Sequence, residues 1–347
     1  MDASIAAILG FDGLTTGAVY ALMAISLVLV FTVTRVIYIP AGEFVAFAAL
    51  SMAALQAGHA PPTALAVVAL GCVVWLMDAV ATVRGQQKGA ALARSAGWNL
   101  AWPLLAWALA RQAPVQQAGM AVQVALTLAI LVPAGPMLYR LCFAPLQQAS
   151  VLTLLIVSVA LHFALLGIGL LMFGAEGVRT LPLTELQWDI GSLRISGQSL
   201  AVIATSLAAM LALAAFFGST LTGKALRATA VNRIGAQLVG IGPDRAGRLA
   251  FGMAGALAAF SGVLIGPLTT VYYESGFLIG LKGFVGAIIG GLAGYPVAVA
   301  GALLVGLIEA FSSFWASAFK EVIVFSLIVP VLAWRSLTHR GLDEEDQ

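Results

Sequence analysis

Apolar residues fall in long blocks along the chain, at about 13–34, 42–58, 63–83, 97–110, 118–138, 150–173, 199–217, 249–271, 278–294, 297–316 and 320–335. Most blocks approach the roughly 20 helical residues that cross a hydrocarbon layer about 30 Å thick. In lipid each backbone N–H and C=O must find its partner within the segment, so blocks this apolar are read as helices. The pattern predicts an all-α membrane protein, a polytopic bundle of about 8–11 transmembrane helices in one domain covering residues 1–347. Met1 to Phe11 lacks the basic stretch and small-residue cleavage site of a secretory signal, which makes the first block a permanent span.

The polar breaks orient the blocks. The most prominent is Gly218 to Arg248, where Lys224, Arg227, Arg233, Arg245 and Arg248 face a single acid, Asp244. Basic loops between spans stay on the cytoplasmic side. Placing Arg35, the Arg84/Lys88/Arg94 group, Arg140, the 218–248 loop and Arg335/Arg340 inside gives one consistent zigzag. The mixed loop Gly174 to Ser196 and the N-terminus then fall outside, and the acidic C-terminus, Asp343 to Asp346, inside. Within the basic loop, Gly223 to Val239 has the pattern of one helix, capped by Thr222 and stopped by Gly240. A structured helix offered to the cytosol implies a partner that docks there. The stretch 84–118 fits two descriptions. With Trp98, Trp102 and Trp107 it is either one short span or an amphipathic helix along the interface.

Composition narrows the function classes. The chain is 61% hydrophobic and 9% charged, far from the roughly 25% charged residues of soluble domains. Its basic residues sit in short loops between spans, so a net charge of +2 carries no argument for nucleic acid. Cys72 and Cys142 lie in or beside apolar blocks and read as inert packing residues, not as a disulfide or a metal site. Paired catalytic carboxylates, His-rich metal spacing and the G-x-S-x-G and H-E-x-x-H motifs are missing, so no enzyme, metal or cofactor is expected. Gly218 to Lys224 matches the first seven positions of a phosphate-binding loop, but Ala225 stands where Mg²⁺ needs a hydroxyl, and a span precedes it instead of a strand.

A few ionisable residues interrupt the apolar blocks. Lys282 lies thirteen residues before Tyr295 and Glu309 thirteen after Pro296. In an antiparallel pair of helices rising about 1.5 Å per residue they share one depth. An unpaired charge there costs a few kcal/mol or more, so the two are expected to pair, either to set helix register or to mark a transport path. Glu43 follows Pro40-Ala41-Gly42 at the start of a helix. It either offsets the helix dipole or marks a broken helix beside a substrate site. Asp78 reads as an interfacial acid close to Arg84, and His162 as a packed, hydrogen-bonded residue. Small residues four apart, Gly286/Gly290, Gly290/Gly294 and Gly252/Ala256, favour close helix contact, and Gly290 to Gly294 could also unwind.

Several of these segments resemble the permease subunits of bacterial branched-chain amino-acid ABC transporters. Asp12-Gly13-Leu14-Thr15-Thr16-Gly17-Ala18-Val19-Tyr20-Ala21-Leu22 is similar to that family's opening span, and Gly42-Glu43-Phe44 to the start of its second helix. Arg227-Ala228-Thr229-Ala230-Val231-Asn232-Arg233-Ile234-Gly235-Ala236-Gln237-Leu238-Val239-Gly240-Ile241 resembles its cytoplasmic loop, and Gly280 to Gly291 with Gly306 to Ser313 its late hairpin. The likeness covers roughly 11–58, 139–173 and 218–335, in the family's order. Three departures stand out: Tyr38-Ile39-Pro40-Ala41 replaces the family's Asn-Phe-Ala-His, Val231 replaces a polar or acidic residue, and 84–118 has no counterpart.

The resemblance implies a permease in a bacterial inner membrane, embedded in membrane lipid. It would work with a second homologous permease, cytoplasmic ATPases and a periplasmic solute-binding protein. Leu226, Arg227, Ala228, Ala230, Asn232, Gly235, Ala236, Leu238, Gly240 and Ile241 would then contact the ATPase, with Leu226, Leu238 and Ile241 as anchors. Glu43, Lys282 and Glu309 would border the translocation path for a small polar solute, branched-chain amino acids first. The rival expectation is a secondary transporter that couples through Lys282 and Glu309 and needs no ATPase.

Overall fold

The computed structural model describes residues 3–85, 89–112, 115–190, 193–292 and 294–339. Lys88, Arg340 and the acidic tail fall outside the described residues. The chain begins with α1 (Ala3–Thr34), α2 (Ala41–Gln56) and α3 (Pro62–Val83). After these, α4 (Gly89–Ala96) continues through a π-turn into α5 (Trp102–Gln112). Next come α6 (Met120–Leu131), α7 (Ala134–Leu138) and α8 (Val151–Phe173). A short antiparallel hairpin, β1 (Gln187–Ile190) and β2 (Leu193–Ser196), pairs Trp188 with Ile195 inside the mixed loop. It leads to α9 (Gly197–Ser219), α10 (Leu221–Val231), α11 (Arg233–Leu238) and α12 (Pro243–Ile265). The chain closes with α13 (Ser275–Ile289), α14 (Tyr295–Trp315), α15 (Lys320–Ser326) and α16 (Ile328–His339).

Side-chain caps set several starts. Ser150 accepts from the Thr153 N–H and Ser196 from Ser199 N–H, and Pro62 and Pro243 occupy first-turn positions where no donor is lost. Arg35 stops α1 by turning into the left-handed region, at φ 62°.

Among the described residues, eight helices are long and apolar enough to cross a membrane. α2 and α13 are shorter, at 16 and 15 residues. The core is built around α1, whose stretch from Val19 to Val30 is almost wholly inaccessible. α2, α12, α13 and α14 pack around it. Small residues make this possible: a Cβ at Gly13 or Gly17 would press on the backbone of α14 at Leu303 to Leu307, and one at Gly306 on Gly13 and Gly17. The peripheral spans bury only a stripe. α8 hides Leu154, Ser158, His162 and Gly169, half-buries Val157, Leu161 and Leu165 against the core, and turns residues such as Leu152, Ile156 and Phe163 outward.

The two ends of the bundle separate as the basic residues anticipate. At one end Arg94, Arg140, Arg245 and Arg248 line a common cleft, and Arg233 reaches Gln147 at 3.3 Å. At the other, the 174–196 loop lies over Gln56, Gly266 and Pro267: Gln56 Oε1 accepts from Leu181 N–H at 2.9 Å, and Arg179 donates to the Pro267 carbonyl.

Three expectations need correction or sharpening. The 89–112 run folds back antiparallel on α3: Ser95 bonds to Asp78, Gly71 abuts the Asn99 backbone, and Trp102 Nε1 donates to Ala129 of α6. It therefore lies lengthwise between α3 and α6, not flat along the bundle's end. Asp78 pairs with Arg140 at 2.9 Å, not with Arg84, and is buried. Cys72 faces outward from α3, because its side of the helix has no protein neighbour, so it packs against nothing inside the bundle.

Candidate functional site

The basic loop forms two short helices where one was expected. The chain leaves α9 at Ser219, and Thr220, not Thr222, caps α10 by accepting from the Gly223 N–H at 2.9 Å. Asn232 then breaks the helix. Its backbone is extended, and its Oδ1 accepts from Gly235 N–H at 2.8 Å to start α11. The short Asn side chain competes with helical backbone bonding, which places it at a cap. Gly240 ends the element at φ +88°. Gly218 and Gly223 lie in helices here, so no phosphate-cradling loop forms.

The element has an inner and an outer side. Leu226 packs against Leu29, Val33, Phe217, Ala246 and Ala250, with only 2% of its surface exposed. It is thus a tether to the bundle and not an outward anchor, contrary to the sequence expectation. Arg227 stays exposed, and its guanidinium donates to the Phe217 carbonyl at 2.5 Å. Facing out are Val231, Ile234, Leu238 and Val239, each more than two-thirds exposed. Arg227, Ala228, Asn232, Gly235 and Ala236 line a cleft of about 470 Å³ between the two helices. Ala230 and Ile241 are half-buried. Val231, Ile234 and Val239 were not among the expected contacts. Their signal was an apolar residue in an otherwise polar loop.

Mid-bundle, Lys282 and Glu309 do meet, Nζ to Oε1 at 2.5 Å. They belong to a larger group. Glu321 of α15 accepts from the same Nζ at 3.1 Å, and Tyr20 of α1 donates to the other Glu309 oxygen at 2.7 Å. Two carboxylates thus share one ammonium, and the Lys282 Nζ also lies 5.8 Å from the Tyr20 ring centre. Counting residues from the turn locates Glu309 but not Glu321 or Tyr20, which arrive from elements remote in sequence.

The third polar residue, Glu43, is 1% exposed and bonded to His162 of α8 at 2.6 Å. His162 is therefore hydrogen-bonded as expected, with a partner the sequence did not reveal. The second Glu43 oxygen and the Tyr38 hydroxyl are buried without a partner among the described residues. Glu43 stands where two short helices meet head to head. Gly42 at the start of α2 and Gly276 at the start of α13 are in backbone contact, and Gly280 rests on Gly42. At about 1.5 Å per residue neither helix crosses the layer. From their meeting point α2 runs toward Gln56 at one end, and α13 toward Tyr295, beside Phe217, at the other. Convergent helix N-termini bring partial positive charge to the middle of the bundle, where a buried carboxylate is favoured.

Comparison with known proteins gives the arrangement a family. Residues 9–332 match the family described as branched-chain amino acid transport system / permease component. The high-affinity branched-chain amino acid transport system permease protein LivH of Escherichia coli K12 is 28% identical over 339 residues, covering 93% of this chain and 91% of that protein. LivH of Salmonella typhimurium is 33% identical over 56% of this chain and 65% of its own length. BraD of Pseudomonas aeruginosa is 32% identical over 44% and 50%. No solved structure matches the chain. With the match spanning nearly all the described helices, the chain belongs to the branched-chain amino acid transport permease family, a transport component and not an enzyme.

Proposed function

We propose that this chain lines the translocation path of an ATP-driven importer in the bacterial inner membrane and that its solutes are branched-chain amino acids. The observation that carries the reading is the α10–α11 element, an ordered pair of helices at the basic end that exposes four large aliphatic residues. Such a surface is costly in water and is covered by a partner. The partner is a cytoplasmic ATPase, whose cycle the element transmits to α9 and α12 through Leu226 and Arg227. A second homologous permease completes the path, and a periplasmic solute-binding protein docks over the opposite end, at the 174–196 hairpin. Glu43, Lys282 and Glu309 border the path. In the isolated subunit Glu43 and Lys282 are buried and Glu309 is half-buried, so they meet solute fully only when the helices around them separate. The relatives, named as permeases of transport systems, do not favour a carrier that works alone through Lys282 and Glu309.

The test is uptake of labelled leucine by the reconstituted complex, with urea and an aromatic acid as comparison solutes. Leucine uptake should require ATP and the external binder and should survive an ionophore that collapses the proton gradient. Uptake by this chain alone, abolished by the ionophore and indifferent to ATP, would overturn the reading.

A further inference from the structure

The 89–112 run helps to build a polar cleft at the basic end. The cleft holds about 490 Å³ and lies between α3, the α4–α5 run, α7 and the start of α12. Four arginines line it, Arg94, Arg140, Arg245 and Arg248, against two acids, Asp78 and Asp244. Each acid already has its arginine: Arg140 binds Asp78 at 2.9 Å and Arg248 binds Asp244 at 2.5 Å. Arg94 and Arg245 are left exposed, with no hydrogen bond or ion pair among the described residues. Among the described residues the cleft therefore carries two positive charges without a partner. It also carries one acceptor in need of a donor, because Asp244 Oδ1 is buried and has no partner among those residues.

Apolar surface adjoins the cleft. Trp98 lines it and stands 6.4 Å from the Trp102 ring, and both residues are exposed. Arg140 also heads a second, apolar groove of about 530 Å³ along the outward side of α3, walled by Val73, Leu76, Met77 and Val80. A phosphate held at the arginines thus has hydrocarbon surface beside it.

We infer that this cleft is a binding site for the headgroup of an anionic glycerophospholipid of the phosphatidylglycerol type. Its phosphodiester lies between Arg94 and Arg245, and a headgroup hydroxyl donates to Asp244 Oδ1. Basic pockets between helices at the cytoplasmic side recognise such headgroups through the same chemistry. Arg94 belongs to α4 of the α3–α5 helical hairpin, formed where the 89–112 run folds back on α3, and Arg245 to the first turn of α12, immediately after the α10–α11 element. A bound lipid therefore clamps the hairpin to the helix that follows that element.

The experiment is native mass spectrometry of the full-length, delipidated chain, titrated with short-chain phosphatidylglycerol or phosphatidylcholine. One phosphatidylglycerol should bind with about tenfold preference. Arg94→Gln and Arg245→Gln should each weaken it about fivefold, and the double variant should abolish the preference. Both side chains are exposed and unpaired, so their loss leaves the fold intact, and circular dichroism confirms it. Arg111→Gln, on the far side of the hairpin, should change nothing. Millimolar inorganic phosphate should not displace the lipid. Three results would overturn the inference: a preference that survives in the double variant, complete displacement by phosphate alone, or displacement by purified ATPase subunits. The last would assign these arginines to the protein interface.

Discussion

Two polar clusters carry the chemistry of the bundle's interior: Lys282 with Glu309 and the partly exposed Glu321, and the buried Glu43–His162 pair. Lys282 is the hub, and the variants of its group should rank accordingly. Lys282→Met strands two carboxylates and should cost the most, on the order of 3 kcal/mol or more. Glu309→Gln leaves the ammonium with Glu321 and should cost less. Glu321→Gln should be the mildest, because its side chain is 35% exposed and Glu309 remains. Lys282→Met with Glu309→Gln should recover much of the lysine loss, since only the partly exposed Glu321 stays unpaired. Thermal unfolding in detergent measures the order. A double variant as poor as the sum of its parts would mean that the pair does not act as one unit.

At the scale of elements, the α10–α11 pair divides into a tether and an outward face, and substitutions should separate them. Leu226→Ala opens a cavity beneath α10 and should destabilise the protein by about 2–5 kcal/mol. Val231 and Leu238 are each 84% exposed, so Leu238→Glu and Val231→Glu should leave the subunit's stability alone. In the reconstituted complex both should lower leucine uptake while ATP is still hydrolysed. Normal coupled uptake in both variants would remove this surface from the coupling step. The meeting of α2 and α13 is as specific. Gly42→Ala drives a methyl into the Gly276 carbonyl and should cost about 1–3 kcal/mol by overpacking. Gly294→Ala, with no contact closer than 3.5 Å, should be tolerated. Equal melting temperatures for the two variants would argue against the close approach.

For the molecule as a whole, the separation of the two ends predicts an accessibility pattern. In a Cys72→Ala/Cys142→Ala background, Glu176→Cys in intact cells should react with a membrane-impermeant maleimide. Gln237→Cys, on the exposed face of α11, should react only after permeabilisation. Labelling of Gln237→Cys in intact cells would invert the orientation. The same geometry explains why the 218–248 loop and the arginines of α4 and α12 can act together. They gather at one end although more than a hundred residues separate Arg94 from Arg245.

The sequence by itself determined the class and which loops share one end. Long apolar blocks in lipid have only helices open to them, and Lys and Arg gather in the loops of a single end. It also determined that Lys282 needs Glu309, because a turn of known position and a constant helical rise set two residues at one depth. Folding decided what depends on contacts remote in sequence. Lipid-facing and buried sides of a span are equally apolar, so hydrophobicity cannot show that α1 is central and α8 peripheral, or that Cys72 faces out. It cannot show that α2 and α13 stop mid-bundle, since a half-crossing helix is as apolar as a full one. The partners Tyr20, Glu321 and His162 come from α1, α15 and α8. Only packing brings them to Lys282, Glu309 and Glu43, because no local periodicity links residues 39 to 289 positions apart.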